Sequence, residues 1–235
     1  NTQEVRGKSD LRRESSVAAR AEFNRTVMTM NSNDRRALED AQEAAALRDA
    51  IEKRNDREVS RMLSIGVDPN LSVDGCSMLQ LALSHSLMDI ARLLLEAGAD
   101  ADVPVAKGEG MTLLMVVAAS GMLDAARMLI EFSPNPNCTS CNGWTALHYA
   151  ANIGHAELVL LLIACKADLD VQDDEGNTAL HTAAFQGHAA VASALLNAGA
   201  DIDLEDNKGG HVLLVDGVIT WRKTRAGRSW SVSAL

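Results

Sequence analysis

Gly110, Gly143, Gly176 and Gly209 stand 33 residues apart, and Gly75 precedes the first of them by 35. The text around them repeats in register. NGWTALHYAANIGHAELVLLLIACKADLD begins at Asn142 and EGNTALHTAAFQGHAAVASALLNAGADID at Glu175. Looser copies come before them, DGCSMLQLALSHSLMDIARLLLEAGADAD from Asp74 and EGMTLLMVVAASGMLDAARMLIEFSPNPN from Glu109. A period of this length describes an array of small supersecondary units rather than one closed core.

The residues of one unit suggest its local structure. A glycine opens a turn, and a Thr or Ser two residues later offers a hydroxyl to the first N–H groups of a helix. That helix is short, expected over Thr145 to Asn152 in one copy and Thr178 to Gln186 in the next. Gly154 and Gly187 follow at positions that tolerate positive φ and end it. A second helix places Leu158, Val159, Leu161 and Leu162 along one stripe. Gly199, Ala200 and Asp201 close its counterpart one unit later. Neither helix can bury its apolar face within a single unit, so stacked neighbours must supply the core.

The pattern GxTxLHxAAxxGHxxxxxxLLxxGADxx resembles the ankyrin repeat, most closely over Gly143 to Asp203. Ala146 and Ala179 stand where that family usually has Pro; Met78 and Leu113 do so in the looser copies, where Gln80 and Met115 also replace the histidine. The resemblance implies an all-α fold, an ankyrin-like α-solenoid of helix-turn-helix repeats joined by β-hairpin-type loops. It places a cap at 35–72 and repeats at 73–107, 108–140, 141–173 and 174–206, together an array over 35–210. The cap shows Leu47, Ala50, Val59, Met62, Leu63 and Gly66 in register with the next unit, but the glycine turn is missing from its text. Its helix is expected to begin near Asp34. Residues 1–34 read as a polar, largely disordered segment with some helix from Val17 to Phe23. Residues 207–235 read as a degenerate repeat and tail. There, His211 to Val215 and Val218 to Trp221 flank Asp216-Gly217, a hairpin signature; a truncated repeat followed by unstructured sequence is the equal alternative.

Composition narrows the function. Hydrophobic residues make up 47% of the 235, but aromatics only 3%, so the core is aliphatic. No stretch is apolar enough to span a membrane. Few, unevenly spaced cysteines suit a reducing, intracellular compartment, cytoplasmic or nuclear. Net charge is +3 over 1–38, −16 over 39–210 and +3 over 211–235. The acidic middle favours neutral or basic protein partners and disfavours nucleic acid at the repeats. The chain begins at Asn1 rather than Met, which leaves open a role as the regulatory repeat segment of a larger enzyme or channel. A permanent structural subunit of a large assembly is the third reading.

Chemistry-bearing motifs are sparse. Cys138-Thr139-Ser140-Cys141 lacks the second ligand pair of a zinc site and is expected to be two exposed thiols on a loop; no metal or cofactor is expected. Asp173, Asp174 and Glu175, and Asp201, Asp203, Glu205 and Asp206, read as a solvated acidic edge without the pocket that acid–base catalysis needs. No enzyme is expected. The resemblance gives His148 and His181 a structural role, tying helix starts to adjacent loops, and makes His155 and His188 part of the repeat. It also assigns partner contacts to positions free to vary on the concave strip of loop tips and first helices: Met111, Ala119, Ser120, Asn142, Trp144, Asn152, Ile153, Glu175, Asn177, Phe185 and Gln186. Trp144 and Phe185 stand out among these, because the repeat does not require large aromatics there and Trp is enriched in binding hot spots.

Overall fold

A computed structural model describes residues 30–105, 110–215, 218–223 and 232–233; the expectations for residues 1–29 and for the turn at 216–217 lie outside them. The chain divides into two compact units, 1–47 and 48–235. In the first, helix α1 (Ser32–Glu52) begins behind Asn31, whose side-chain oxygen accepts the Asp34 N–H at 2.8 Å. This helix continues into the second unit, where α2 (Asp56–Ser64) follows.

The second unit then repeats one helix pair: α3 (Met78–Ser84) with α4 (Met88–Glu96), α5 (Leu113–Ala119) with α6 (Leu123–Glu131), α7 (Ala146–Ile153) with α8 (Ala156–Ala164), and α9 (Ala179–Gln186) with α10 (Ala189–Asn197). The expected hydroxyls cap three of the first helices. Ser77, Thr112 and Thr178 accept the N–H groups of Gln80, Met115 and His181 at 3.1, 3.4 and 3.4 Å. Each threonine or serine is the cap rather than the first helical residue, so α7 and α9 start one position later than the sequence suggests.

A left-handed residue ends every first helix. Gly121, Gly154 and Gly187 supply it at φ +66, +75 and +78°, and Ser86 supplies it at +56°. Arg54 does the same at +54° after α1. Second helices end alike, at Gly66, Gly98 and Gly199 but also at Ser133 (+56°) and Lys166 (+60°). An L-residue in this conformation costs roughly 1 kcal/mol, and the stacked geometry imposes it at four places.

Packing runs between units. First helices stack α5 on α7 on α9, second helices α6 on α8 on α10, and α2 lies against α4. Leu147, Ala150, Leu158, Val159 and Leu162 are buried to within 1%, each large side chain contributing about 1.5–3 kcal/mol through removal from water.

The connecting loops are hairpin-like. Strands β1 (Ser72–Val73) and β2 (Cys76–Ser77) pair across Asp74-Gly75, both at positive φ, as a two-residue hairpin turn requires. Later tips close through Ser140 N–H to Trp144 O, Asp173 N–H to Asn177 O and Asp206 N–H to Gly210 O, at 2.8–2.9 Å. Neighbouring tips also touch. Asp174 N–H reaches Asn142 O at 3.2 Å and Asn207 N–H reaches Glu175 O at 2.9 Å. At the far ends of the loops a second ladder links units: Asn70 accepts from Asp100 N–H, Asp102 from Asn135, Asn137 from Asp168, and Asp170 from Asp201, at 2.8–3.1 Å.

After the last pair, β3 (Gly210–Val215) and β4 (Val218–Lys223) form an antiparallel hairpin in which Val215 faces Val218, with short β5 (Val232–Ser233) beside β4. The hairpin packs on α9 and α10. Of the two readings of the tail, these strands match the hairpin. Among the described residues no helix is long and apolar enough to cross a membrane.

Two substitutions test the left-handed turns. A Cβ on Gly154 would stand 2.6 Å from His188 Nδ1, so Gly154→Ala should lose about 1–2 kcal/mol or more from strain and collision together. Ser86→Gly removes strain at the equivalent turn and should gain up to about 1 kcal/mol. Urea unfolding followed by circular dichroism measures both.

Candidate partner-binding cleft

Where the tips of the last units meet α7 and α9, they enclose an open cleft of about 370 Å³. Trp144, Asn152, Glu175, Asn177, Phe185 and Gln186 line it. These are six of the residues that the resemblance assigns to partner contact. Met111, Ala119, Ser120, Asn142 and Ile153 lie outside it. Ser120 and Asn142 are exposed, Met111 and Ala119 half-buried, and Ile153 is a surface residue at the end of α7.

Most of the six also hold the units together. The Trp144 indole N–H donates to Asp173 Oδ2 at 3.0 Å, and its ring stacks on His148 and meets Tyr149 edge-on at 5.0 Å. Trp144 is therefore half-buried, with a packing role of its own. Asn152 accepts Gln186 Nε2–H at 2.7 Å, and its backbone carbonyl lies 3.0 Å from His188 Nε2. Glu175 pairs with Lys208 at 3.1 Å. Phe185, at 58% exposure, is the large apolar surface of the cleft.

Asp173, His181, Thr182, Asp206 and Lys208 complete the lining, and the sequence reading did not place them there. Its solvated acidic edge needs correction at two residues. Asp173 is half-buried, and its Oδ1 accepts the N–H groups of Glu175 and Asn177 at 2.9 and 2.7 Å. Asp206 is only 7% exposed, and its Oδ1 accepts Lys208 and Gly210 N–H, both at 2.7 Å. The signal was available, because both aspartates sit three residues before a 33-spaced glycine, where a carboxylate can bind the N–H groups of its own turn. The CxxC reading shifts as well. Cys141 is exposed, but Cys138 is half-buried, and burial, aided by the charge of Asp102, pushes its thiol pKa up.

The two helix-start histidines are buried. His148 Nδ1 lies 2.9 Å from Thr145 Oγ1 and accepts the Thr145 N–H, which leaves Nε2 to donate to Asn177 O at 3.0 Å. In the next unit His181 Nδ1 repeats the contact with Thr178. Its Nε2 is buried without a well-formed hydrogen bond, and the Gly210 carbonyl is the acceptor that acts on it. Burial holds both imidazoles below the ordinary histidine pKa of 6.5, against the opposing pull of those carbonyls and of Asp173 and Asp206. Among the described residues no group of three or more His, Cys, Asp or Glu is placed to hold a metal ion.

A family profile for ankyrin repeats matches residues 47–139 and 114–206. The chain belongs to the ankyrin-repeat family. Ankyrin repeats generally mediate protein–protein interaction. Similar proteins include zebrafish Notch-regulated ankyrin repeat-containing protein B, 38% identical over 23% of this chain and 50% of that protein. Rice "Probable E3 ubiquitin-protein ligase XBOS33" is 39% identical over 37% of this chain and 17% of its own length. Mouse protein phosphatase 1 regulatory subunit 12A is 37% identical over 34% and 8%. The ankyrin chain thus spans half of the first and less than a fifth of the other two.

The histidines give a pH prediction. A pKa lower in the folded than in the unfolded state means that the unfolded chain takes up the proton first. The stability held by neutral His148 and His181 is then fully present above 6.5 and lost as pH falls through the folded values. The urea midpoint should be level from about pH 8 to 7 and decline from about pH 6.5 toward 5. A midpoint that rises over that interval contradicts the assignment.

Proposed function

We propose that this ankyrin array is a non-catalytic recognition module that grips a partner protein of neutral or basic surface through its strip of loop tips and first helices, centred on the Trp144–Phe185 cleft. The supporting observation is Phe185, a large aromatic side chain left exposed on a rigid helix above a preformed cleft. Preorganisation lowers the ordering cost of association, and here the ordering is done by contacts the repeats need in any case. The non-catalytic reading rests on Asp173 and Asp206, whose Oδ1 atoms are occupied by loop N–H groups rather than poised for proton transfer.

A second reading, a regulatory repeat segment of a larger enzyme, draws support from the relatives: one is named a regulatory subunit of a phosphatase and one a ubiquitin ligase, and each is matched over a small part of its length. The intact mass of the native protein separates the two.

Affinity capture or proximity labelling in the native organism, compared between wild type and Phe185→Ala, tests the cleft. Loss of an exposed hot-spot aromatic should weaken partner binding by tenfold or more and leave helix content unchanged. Equal recovery of partners by the variant contradicts the assignment. Trp144→Ala should weaken binding and also lower stability, since the indole anchors Asp173.

A further inference from the structure

We infer that the cleft receives an arginine side chain from a basic segment of the partner, with Asp206 Oδ2 as the acceptor and the Phe185 ring beside it. The inference deepens the recognition reading above and rests on it.

The repeat breaks at one carboxylate oxygen. Asp173 and Asp206 are 33 residues apart and do the same work with Oδ1. They differ at Oδ2. In Asp173 that oxygen is taken by the indole N–H of Trp144, from the unit before. The position 33 after Trp144 is Asn177, and its side-chain amide turns instead to Asp173, at 3.3 Å. Among the described residues nothing donates to Asp206 Oδ2, although Asp206 is 93% buried and lines the cleft. A place filled by a planar N–H donor in one unit is thus open in the next.

The surroundings specify what fits. Asp206 Oδ2 is the carboxylate oxygen left to the cleft, and a carboxylate binds a charged donor more strongly than a neutral one. Among the described residues, the cleft carries the carboxylates of Asp173, Glu175 and Asp206 against the ammonium of Lys208, which is drawn to Glu175. Phe185 offers an exposed aromatic surface at the same cleft. Guanidinium matches these features together, being a planar N–H donor that binds carboxylate edge-on and lies against aromatic faces.

Random 12-residue peptides displayed on phage and selected on the full chain provide the test, with affinities then measured by fluorescence polarisation. The expected result is a set of peptides that need Phe185 and carry an arginine. Replacing that arginine with neutral citrulline, or making Asp206→Asn, should each weaken binding about tenfold or more, as for a lost charge-assisted hydrogen bond. The two changes together should add little. Asn177→Trp supplies a second variant: an indole placed as in the preceding unit fills the open position and should abolish binding. Peptides that need Phe185 but lack arginine, or that ignore both Asp206→Asn and Asn177→Trp, overturn this inference and leave the cleft reading standing. If no selected peptide needs Phe185, both fall.

Discussion

The structure depends on burial shared between neighbours. Each pair of short helices presents more apolar surface than it can cover alone, and Leu147, Leu158 and Leu162 reach full burial through the units on either side. Hydrogen bonds follow the same direction. The loop tips join through Asp174 to Asn142 and Asn207 to Glu175, and the far ends join through the Asn70, Asp102, Asn137 and Asp170 ladder. A unit is therefore a fraction of a core, and its stability is a property of its interfaces.

That constraint explains what the sequence could and could not disclose. The glycine period, the hydroxyl caps and the aliphatic stripes are chemical requirements of the unit, so they are written in residue types and were readable. The left-handed turns at Arg54, Ser86, Ser133 and Lys166 were hidden, because neighbouring units enforce the conformation on residues that do not prefer it. Trp144 was legible as unusual but not as an anchor, since its partner Asp173 lies 29 residues away across a unit boundary. Asp206 was legible through its place three residues before Gly209 but not through its charge. Charge alone suggests a solvated turn, whereas in the folded loop the carboxylate is drawn inward by the Lys208 and Gly210 N–H groups.

The candidate cleft arises from the same interfaces. Asn152, Glu175, Asn177 and Gln186 join successive loops and helices, and in doing so they wall a recess that needs no rearrangement to accept a partner. Gly143 and Gly176 permit that closeness: a Cβ at either would come within 2.8 Å of the backbone of the next tip. Recognition by such a surface draws on rigidity that stacking has already established.

The most direct test of shared burial is native-state hydrogen exchange along the whole chain after Leu147→Ala. That change opens a void in α7 at the junction with α5 and α9. If neighbours complete one another's cores, amide protection should fall in α5 and α9 as well as in α7 and α8. Loss confined to α7 and α8, with their neighbours protected as in the wild type, would show that each helix pair stands by itself and would contradict the account.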